Sequence, residues 1–272
     1  MHAAVAMGLL LAIGAAPPVL AESPWREVEP GIDRAHFAPD GTVTREGVIT
    51  VIRIDPARWS LSAFSNLTGD SANNRSVREW CRTEGLVVAV NAGMFATDYV
   101  THIGYLRCGD QVNNSHVNAY LSAAAFQPRH DGLPPFRIFD LDEVSFARVR
   151  EDYACVVQNL RLIKRPGENR WPPQDKKWNE VALGEDEDGN ILFIHVRQAY
   201  SMHDLNEILL SLPIGLVAAQ HLEGGPEAQL VLRQGERGVE FVGSWESGFQ
   251  SDRDRGTGWP VPNVLGVTRR AE

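Results

Sequence analysis

His221, Glu223 and Glu227 stand within seven residues of one another around the pair Gly224 and Gly225, in the run His-Leu-Glu-Gly-Gly-Pro-Glu. An imidazole and two carboxylates at this spacing can exchange protons with a bound substrate and balance charge that develops on it. Adjacent glycines let a backbone and its N–H groups come close to a ligand, because no Cβ intervenes. Apolar stretches flank the run. Residues 212–219 are too apolar for a loop and too short for a membrane span, and residues 229–233 alternate like a second strand. The same seven residues also suit an ordinary hairpin turn with solvated charges.

Other catalytic signatures are missing. GxSxG, HExxH, a P-loop and GxGxxG do not occur in a supporting context. The acidic run at 185–190 does not follow the calcium-loop spacing, and its Asp188-Gly189 pair marks a solvated hairpin turn. A net charge of −9 argues against a general polyanion-binding surface, so no nucleic-acid partner is expected. It leaves room for a local basic pocket that takes one phosphate. No cofactor is required by the sequence.

The elements that must position these groups can be placed in order. Residues 1–21 read as a secretory leader: a small and apolar run, a Pro17-Pro18 break, and small residues where a signal peptidase cuts. The run is shorter than the ~20 residues of a spanning helix, and no later segment is long and apolar enough to span. The expected mature protein is periplasmic or secreted, without stable membrane insertion. Its length of about 250 residues suits one large domain or two small ones. Residues 22–44 form an N-terminal strand or lead-in, and 45–268 the domain itself. With 43% hydrophobic residues a sizeable core is expected. Cys81, Cys108 and Cys155 allow one disulfide and one free thiol in an oxidising compartment, or three buried apolar side chains.

Residues 46–54 are β-branched and read as a strand. Residues 59–64 alternate after a turn and are expected to pair with them as a hairpin. Residues 76–84 read as a short helix capped by Ser76, and 86–95 as a buried strand running into a glycine turn. Further strands are expected near 103–107, 119–126, 153–158 and 160–163, with a proline-containing surface loop at 164–178. Residues 180–183 and 191–196 flank the Asp188-Gly189 turn. The clearest helix is 201–212: Met202, Leu205, Ile208, Leu209 and Leu212 share one face, Ser201 caps it, and Pro213 stops it. The expected fold is α+β: one domain with a twisted mixed β-sheet and a few packed helices.

Several pieces in chain order carry a resemblance. They are NAGMF at 91–95, HIGYLRCGD at 102–110, VVQNLRLI at 156–163, VALGEDEDGNILFIHV at 181–196, the Ser201 helix, HLEGGPEAQLVL at 221–232 and WPVPNVLGV at 259–267. The ordered set resembles the phosphodiester glycosidase family, that of the lysosomal uncovering enzyme, and is most similar to its short bacterial periplasmic members. The resemblance covers roughly 45–268. It implies hydrolysis of a sugar-1-phosphodiester or a related envelope glycan linkage. It also implies a set of residues. Glu223 would be the carboxylate near the sugar, and His102 or His221 the proton donor. Gly224 and Gly225 would give N–H groups and close approach. Asn91 and Gly93 of the NAGMF turn, with Arg107, Gln158 and Arg161, would bind sugar or phosphate.

The chain departs from the family's LDGG turn. Glu223 replaces the aspartate, Glu227 and Ala228 occupy hydroxyl positions, and Asn179 and Glu180 stand where an arginine is often found. Fewer hydroxyl donors and an added negative charge weaken phosphate binding. The alternative function that these departures favour is a non-catalytic periplasmic saccharide-binding protein, or a modulator of envelope polymers or secreted fibres. Trp171, Trp178, Trp245 and Trp259 are candidates for a sugar-stacking surface or for core anchors.

Overall fold

The computed structural model describes residues 23–39, 47–235, 237–244, 246–247, 250–251 and 258–270. The expected leader at 1–21, and Trp245, lie outside the described residues. Described strands form three larger sheets and one short ribbon. The first sheet runs β1 (Arg26–Glu29), β2 (Ile32–Phe37), β3 (Ile49–Ile54), β14 (Ile191–Tyr200), β13 (Trp178–Asp186), β15 (Leu216–Glu223), β11 (Arg161–Lys164) and β12 (Glu168–Asn169). The second runs β7 (Gln111–Asn114), β6 (Leu106–Cys108), β10 (Tyr153–Asn159), β8 (Ser122–Pro128) and β9 (Phe136–Asp140). The third runs β17 (Arg237–Val242), β16 (Gln229–Gln234), β5 (Val88–Asn91), β20 (Asn263–Arg269) and β4 (Trp59–Ser65). The ribbon is β18 (Glu246–Ser247) with β19 (Gln250–Ser251).

Alternation of side chains gives each sheet two faces. The inner faces of all three meet in one core. Ile52 and Ile54 come from the first sheet, Leu106, Phe126 and Val157 from the second, and Leu61, Val88, Val90 and Leu265 from the third. Each outer face is covered by one helix. In α1 (Val77–Glu84), Val77, Trp80 and Cys81 pack on Ala89, Val231 and Val264 of the third sheet. In α2 (Phe146–Asp152), Val149 packs with Ala125 and Val156 of the second. In α3 (Met202–Ser211), Met202, Leu205 and Leu209 cover Val51, Ala182 and Ile194 of the first. Each such large side chain contributes roughly 1.5–3 kcal/mol when fully buried. Local chemistry closes the helix ends. Ser76 Oγ accepts from the Glu79 N–H at 3.3 Å, and the Glu79 carboxylate accepts from the Ser76 N–H at 2.9 Å. Ser201 Oγ accepts from the Asp204 N–H at 3.1 Å.

The fold is α+β in outline and mostly β, and three expectations need correction. Every pairing between the described strands is antiparallel and is divided among separate sheets, so there is no single mixed sheet. The segments at 46–54 and 59–64 do not pair with each other. β3 joins β2 and β14, whereas β4 joins β20 in the third sheet. The glycine run after β15 is not a hairpin turn either. β15 pairs with β11 and β13, and β16 with β5 and β17, so the run crosses from the first sheet to the third. Alternation marks a strand without naming its neighbour, and the partner is chosen by which faces can be buried together. The β13–β14 hairpin at Asp188-Gly189 forms as expected, with Gly189 at φ 82°. Cys108 on β6 is bonded to Cys155 on β10, and Cys81 is a buried free thiol on α1. No described helix is long and apolar enough to cross a membrane.

Candidate active site

β15 is an inner strand of the first sheet, and its C-terminal end delivers His221 and Glu223. The register against β13 shifts there: His221 lies opposite Ala182 and Glu223 opposite Val181. A bulge of this kind re-aims side chains where a strand ends. From β13, Glu180 reaches the imidazole. Its two carboxylate oxygens stand 2.8 and 2.7 Å from His221 Nδ1. Glu180 is completely buried and His221 is 7% exposed. Burial raises the Glu180 carboxyl, and His221 opposes that rise. For His221 burial works downward, but the adjacent Glu180 overrides it and holds the imidazole above its ordinary value.

Glu223 is the next ionisable group along the strand. Burial pushes its carboxyl up to about 7, against the opposing pull of His221 and the Gly224 N–H. That N–H donates to Glu223 Oε1 at 3.2 Å. Glu227 is also raised by burial. Its Oε2 stands 3.1 Å from where a Cβ on Gly225 would lie. Gly225 needs its glycine, since φ is 68°. Beyond this turn a cavity of about 290 Å³ is lined by Lys177, Trp178, Asn179, Ala199, Gly225, Pro226, Glu227 and Ser244.

A second polar cluster lies alongside. Asn159, at the end of β10, donates through Nδ2 to the Ala92 carbonyl at 2.9 Å. A Cβ on Gly93, where φ is 144°, would run into Asn159 Oδ1 and come within 2.6 Å of His102 Nε2. His102 is fully buried, its Nδ1 lies 3.0 Å from the Gly104 carbonyl, and its Nε2 has no hydrogen-bond partner. Burial lowers this imidazole, so it is neutral near pH 7. The two clusters share a wall: Leu160, next to Asn159, accepts through its carbonyl from the His221 N–H at 2.9 Å. Tyr120 faces the same end, and its phenol is raised by burial and by the charge of Glu223.

The remaining expected residues are placed as follows. Gln158 bonds the backbone at Tyr105, Asn118 and Tyr120, and so organises the loop that carries Tyr120. Arg107 donates from Nη2 to the Arg150 and Tyr153 carbonyls at 2.8 and 2.7 Å, at the C-terminal end of α2. Arg161 is paired with Asp140 and Asp142, both at 3.0 Å. Asn91 accepts from the Gln229 N–H at 3.4 Å, and its Nδ2 is buried without a partner. The structure therefore brings Glu223, His221, Gly224 and Gly225 together, with Gly93 and His102 in the neighbouring cluster. It ties the side chains of Arg107 and Arg161 elsewhere. Sequence reasoning missed Glu180, Asn159 and Tyr120 as site neighbours. A lone carboxylate leading the apolar run Val181-Ala182-Leu183 was the available signal for Glu180. Trp178 lines the cavity, Trp171 donates to the Arg161 carbonyl, and the Trp259 carbonyl accepts from Gln229 Nε2. Among the described residues no group of three His, Cys, Asp or Glu side chains is placed to hold a metal ion.

No functionally curated protein matches the chain in sequence. Solved structures share its fold, among them the following two. The catalytic domain of zebrafish N-acetylglucosamine-1-phosphodiester alpha-N-acetylglucosaminidase, auto-inhibited by its pro-peptide, aligns at TM-score 0.61 and 14% identity, over 89% of this chain and 85% of that one. A hypothetical protein from Synechocystis aligns at TM-score 0.56 and 16% identity, over 94% of this chain and 64% of that one. The sequence model of the family described as phosphodiester glycosidase matches residues 84–268, more than half of the chain and all of the site just described, and the chain therefore belongs to the phosphodiester glycosidase family.

Proposed function

We propose that the protein is a hydrolase that breaks a glycosidic bond at the anomeric carbon of a phosphate-linked saccharide or a related envelope glycan. The observation that carries this reading is the buried Glu180–His221 pair beside Glu223, at the glycine turn of a phosphodiester glycosidase domain. Glu223 is the proton donor. With its carboxyl raised to about 7 it still carries a proton near neutral pH, and His221 with the Gly224 N–H stabilises the carboxylate left after transfer. Glu227 is the carboxylate that faces the positive charge developing on the sugar ring. The neutral His102 and Asn159 supply polar contacts to sugar hydroxyls, Gly225 lets the ring approach the turn, and Gly93 lets its own turn pack against Asn159 and His102. Arg107, Gln158 and Arg161 hold the scaffold.

Location follows from the same reading. The leader-like first 21 residues and the Cys108–Cys155 bond both suit a periplasmic or secreted protein. The test is release of reducing sugar from a panel of glycosides and sugar-1-phosphodiesters. Glu223→Gln is expected to lower turnover by about 10²–10⁴-fold. Unchanged turnover removes Glu223 from the mechanism. The position of Glu227 over Gly225 favours one second reading, a saccharide-binding protein without turnover. Saturable binding of the same panel with no sugar released would select it.

A further inference from the structure

One end of the first sheet's inner face turns polar where the rest of that face is apolar. Ile52 and Ile54 of β3 and Phe193 of β14 point into the core, and two residues further along stand Thr50 and His195. Thr50 lies opposite His195 on one side and His36 of β2 on the other, so the three form one cross-strand row. Thr50 and His195 are buried, and His36 is exposed at the rim. Phe241, on β17 of the third sheet, stands over this row. Its ring centroid is 6.1 Å from that of His36 and 5.9 Å from that of His195. Here lies a cavity of about 450 Å³, which Val48, Arg197, Val239 and Val242 help to enclose. It shares no lining residue with the cavity beyond the glycine turn.

The lining combines apolar walls with a few placed polar groups, as small-molecule sites do. Val48, Val239, Phe241 and Val242 supply the apolar part. At the floor His195 is only 3% exposed, and its Nε2 has no hydrogen-bond partner. A buried polar group without a partner is costly, and a ligand that pairs with it removes that cost. Burial, and then the charge of Arg197, lower the His195 imidazole to about 3, while burial and Arg34 lower His36. Two neutral imidazoles therefore sit in the positive field of two arginines, and a field that disfavours imidazolium favours an anion. Arg197 is steadied at its end of the cavity by donating from Nη1 to the Val242 carbonyl. The carboxylate of Glu240, on the same wall, is engaged by Arg78 Nε at 2.7 Å. We propose that this cavity is a second small-molecule site, separate from the glycine turn, and that it binds a flat aromatic acid. The ring lies against Phe241 and the valines, and the carboxylate accepts from Arg197 and from His195 Nε2. Nothing in this assignment depends on the hydrolase reading.

The test titrates the full-length protein with indole-3-acetate, with indole-3-ethanol as its uncharged counterpart and acetate as the acid without a ring. Calorimetry should give one site per chain, with indole-3-acetate bound about tenfold or more tightly than either of the others. Phe241→Ala should weaken indole-3-acetate and indole-3-ethanol alike, by about tenfold. Arg197→Gln should weaken indole-3-acetate by about tenfold and indole-3-ethanol by less than about threefold. The ring resonances of His36 and His195 should shift as wild type is titrated with indole-3-acetate, a readout that stands even if either variant fails to fold. Glu223→Gln should leave the affinity for indole-3-acetate within about threefold of wild type. No saturation by about 10 mM indole-3-acetate, or histidine resonances that do not move, overturns the proposal. Equal affinity for indole-3-acetate and indole-3-ethanol overturns the acid as the ligand class. A loss in Glu223→Gln as large as that in Phe241→Ala puts the probe at the glycine turn and overturns the separate site.

Discussion

Glu180 and His221 meet across the seam between β13 and β15, with both carboxylate oxygens within 2.8 Å of one imidazole nitrogen. Neither is reachable by bulk water to any useful extent, so each is the other's main solvent. The pair fixes the charge next to Glu223 and ties the end of β15 to its neighbour.

Removing one member of such a pair leaves a buried, uncompensated group. Glu180→Ala is expected to destabilise the fold by about 3–5 kcal/mol. Glu180→Gln should cost less, since it keeps the shape and one acceptor. Chemical denaturation measures the loss, and NMR titration of His221 in Glu180→Gln should show its midpoint falling below that of wild type.

The pH response has a definite sign. The folded value of Glu223, about 7, lies above the ordinary 4.5, so the unfolded chain loses this proton first as pH rises. Glu223 therefore subtracts stability progressively between pH 4.5 and about 7. His221 is also raised, so its contribution is present below the ordinary histidine range and is lost as pH rises through the raised value. Turnover that needs protonated Glu223 should fall above about pH 7. Denaturation midpoints and pH–rate profiles check the two effects, and the rate limb should vanish in Glu223→Gln.

Gly93 is tightly constrained, because its φ is 144° and a Cβ there meets Asn159 and His102. Gly93→Ala is expected to cost about 1–3 kcal/mol and to weaken saccharide affinity. Gly109 also has positive φ, 61°, but faces open space. Gly109→Ala should cost only about 1–2 kcal/mol of backbone strain and leave affinity unchanged. Calorimetric titration separates the two variants.

The thiols should behave unequally. Burial pushes Cys81 up to about 12, so the native protein should show no reactive thiol and the unfolded, unreduced chain one. Replacing Cys108 and Cys155 together by serine should cost about 2–4 kcal/mol, as the bond spans a separation of 47 residues.

Much of the local structure was legible. The Ser76 and Ser201 helices, the Asp188-Gly189 hairpin and strands within the expected segments 46–54, 86–95 and 153–158 follow from periodicity and caps that depend on near neighbours in the chain. α2 was missed: seven residues carrying four charged side chains show little apolar period. Within VVQNLRLI the expected site residues were Gln158 and Arg161. The residue facing Gly93 and His102 is Asn159, because side-chain direction at a strand end depends on the sheet it joins.

By itself the sequence determined many of the strands, the Ser76 and Ser201 helices, the family they compose, and that an acid beside two glycines occupies the critical turn. Only the tertiary structure decided that this turn links two sheets, that Glu180 is the partner of His221, and that Arg107 and Arg161 serve helix and loop. The reason is physical. Local conformation is governed by contacts a few residues apart, whereas the partner of a buried charge is chosen by the packing of strands some forty residues apart, where an unpaired charge cannot remain.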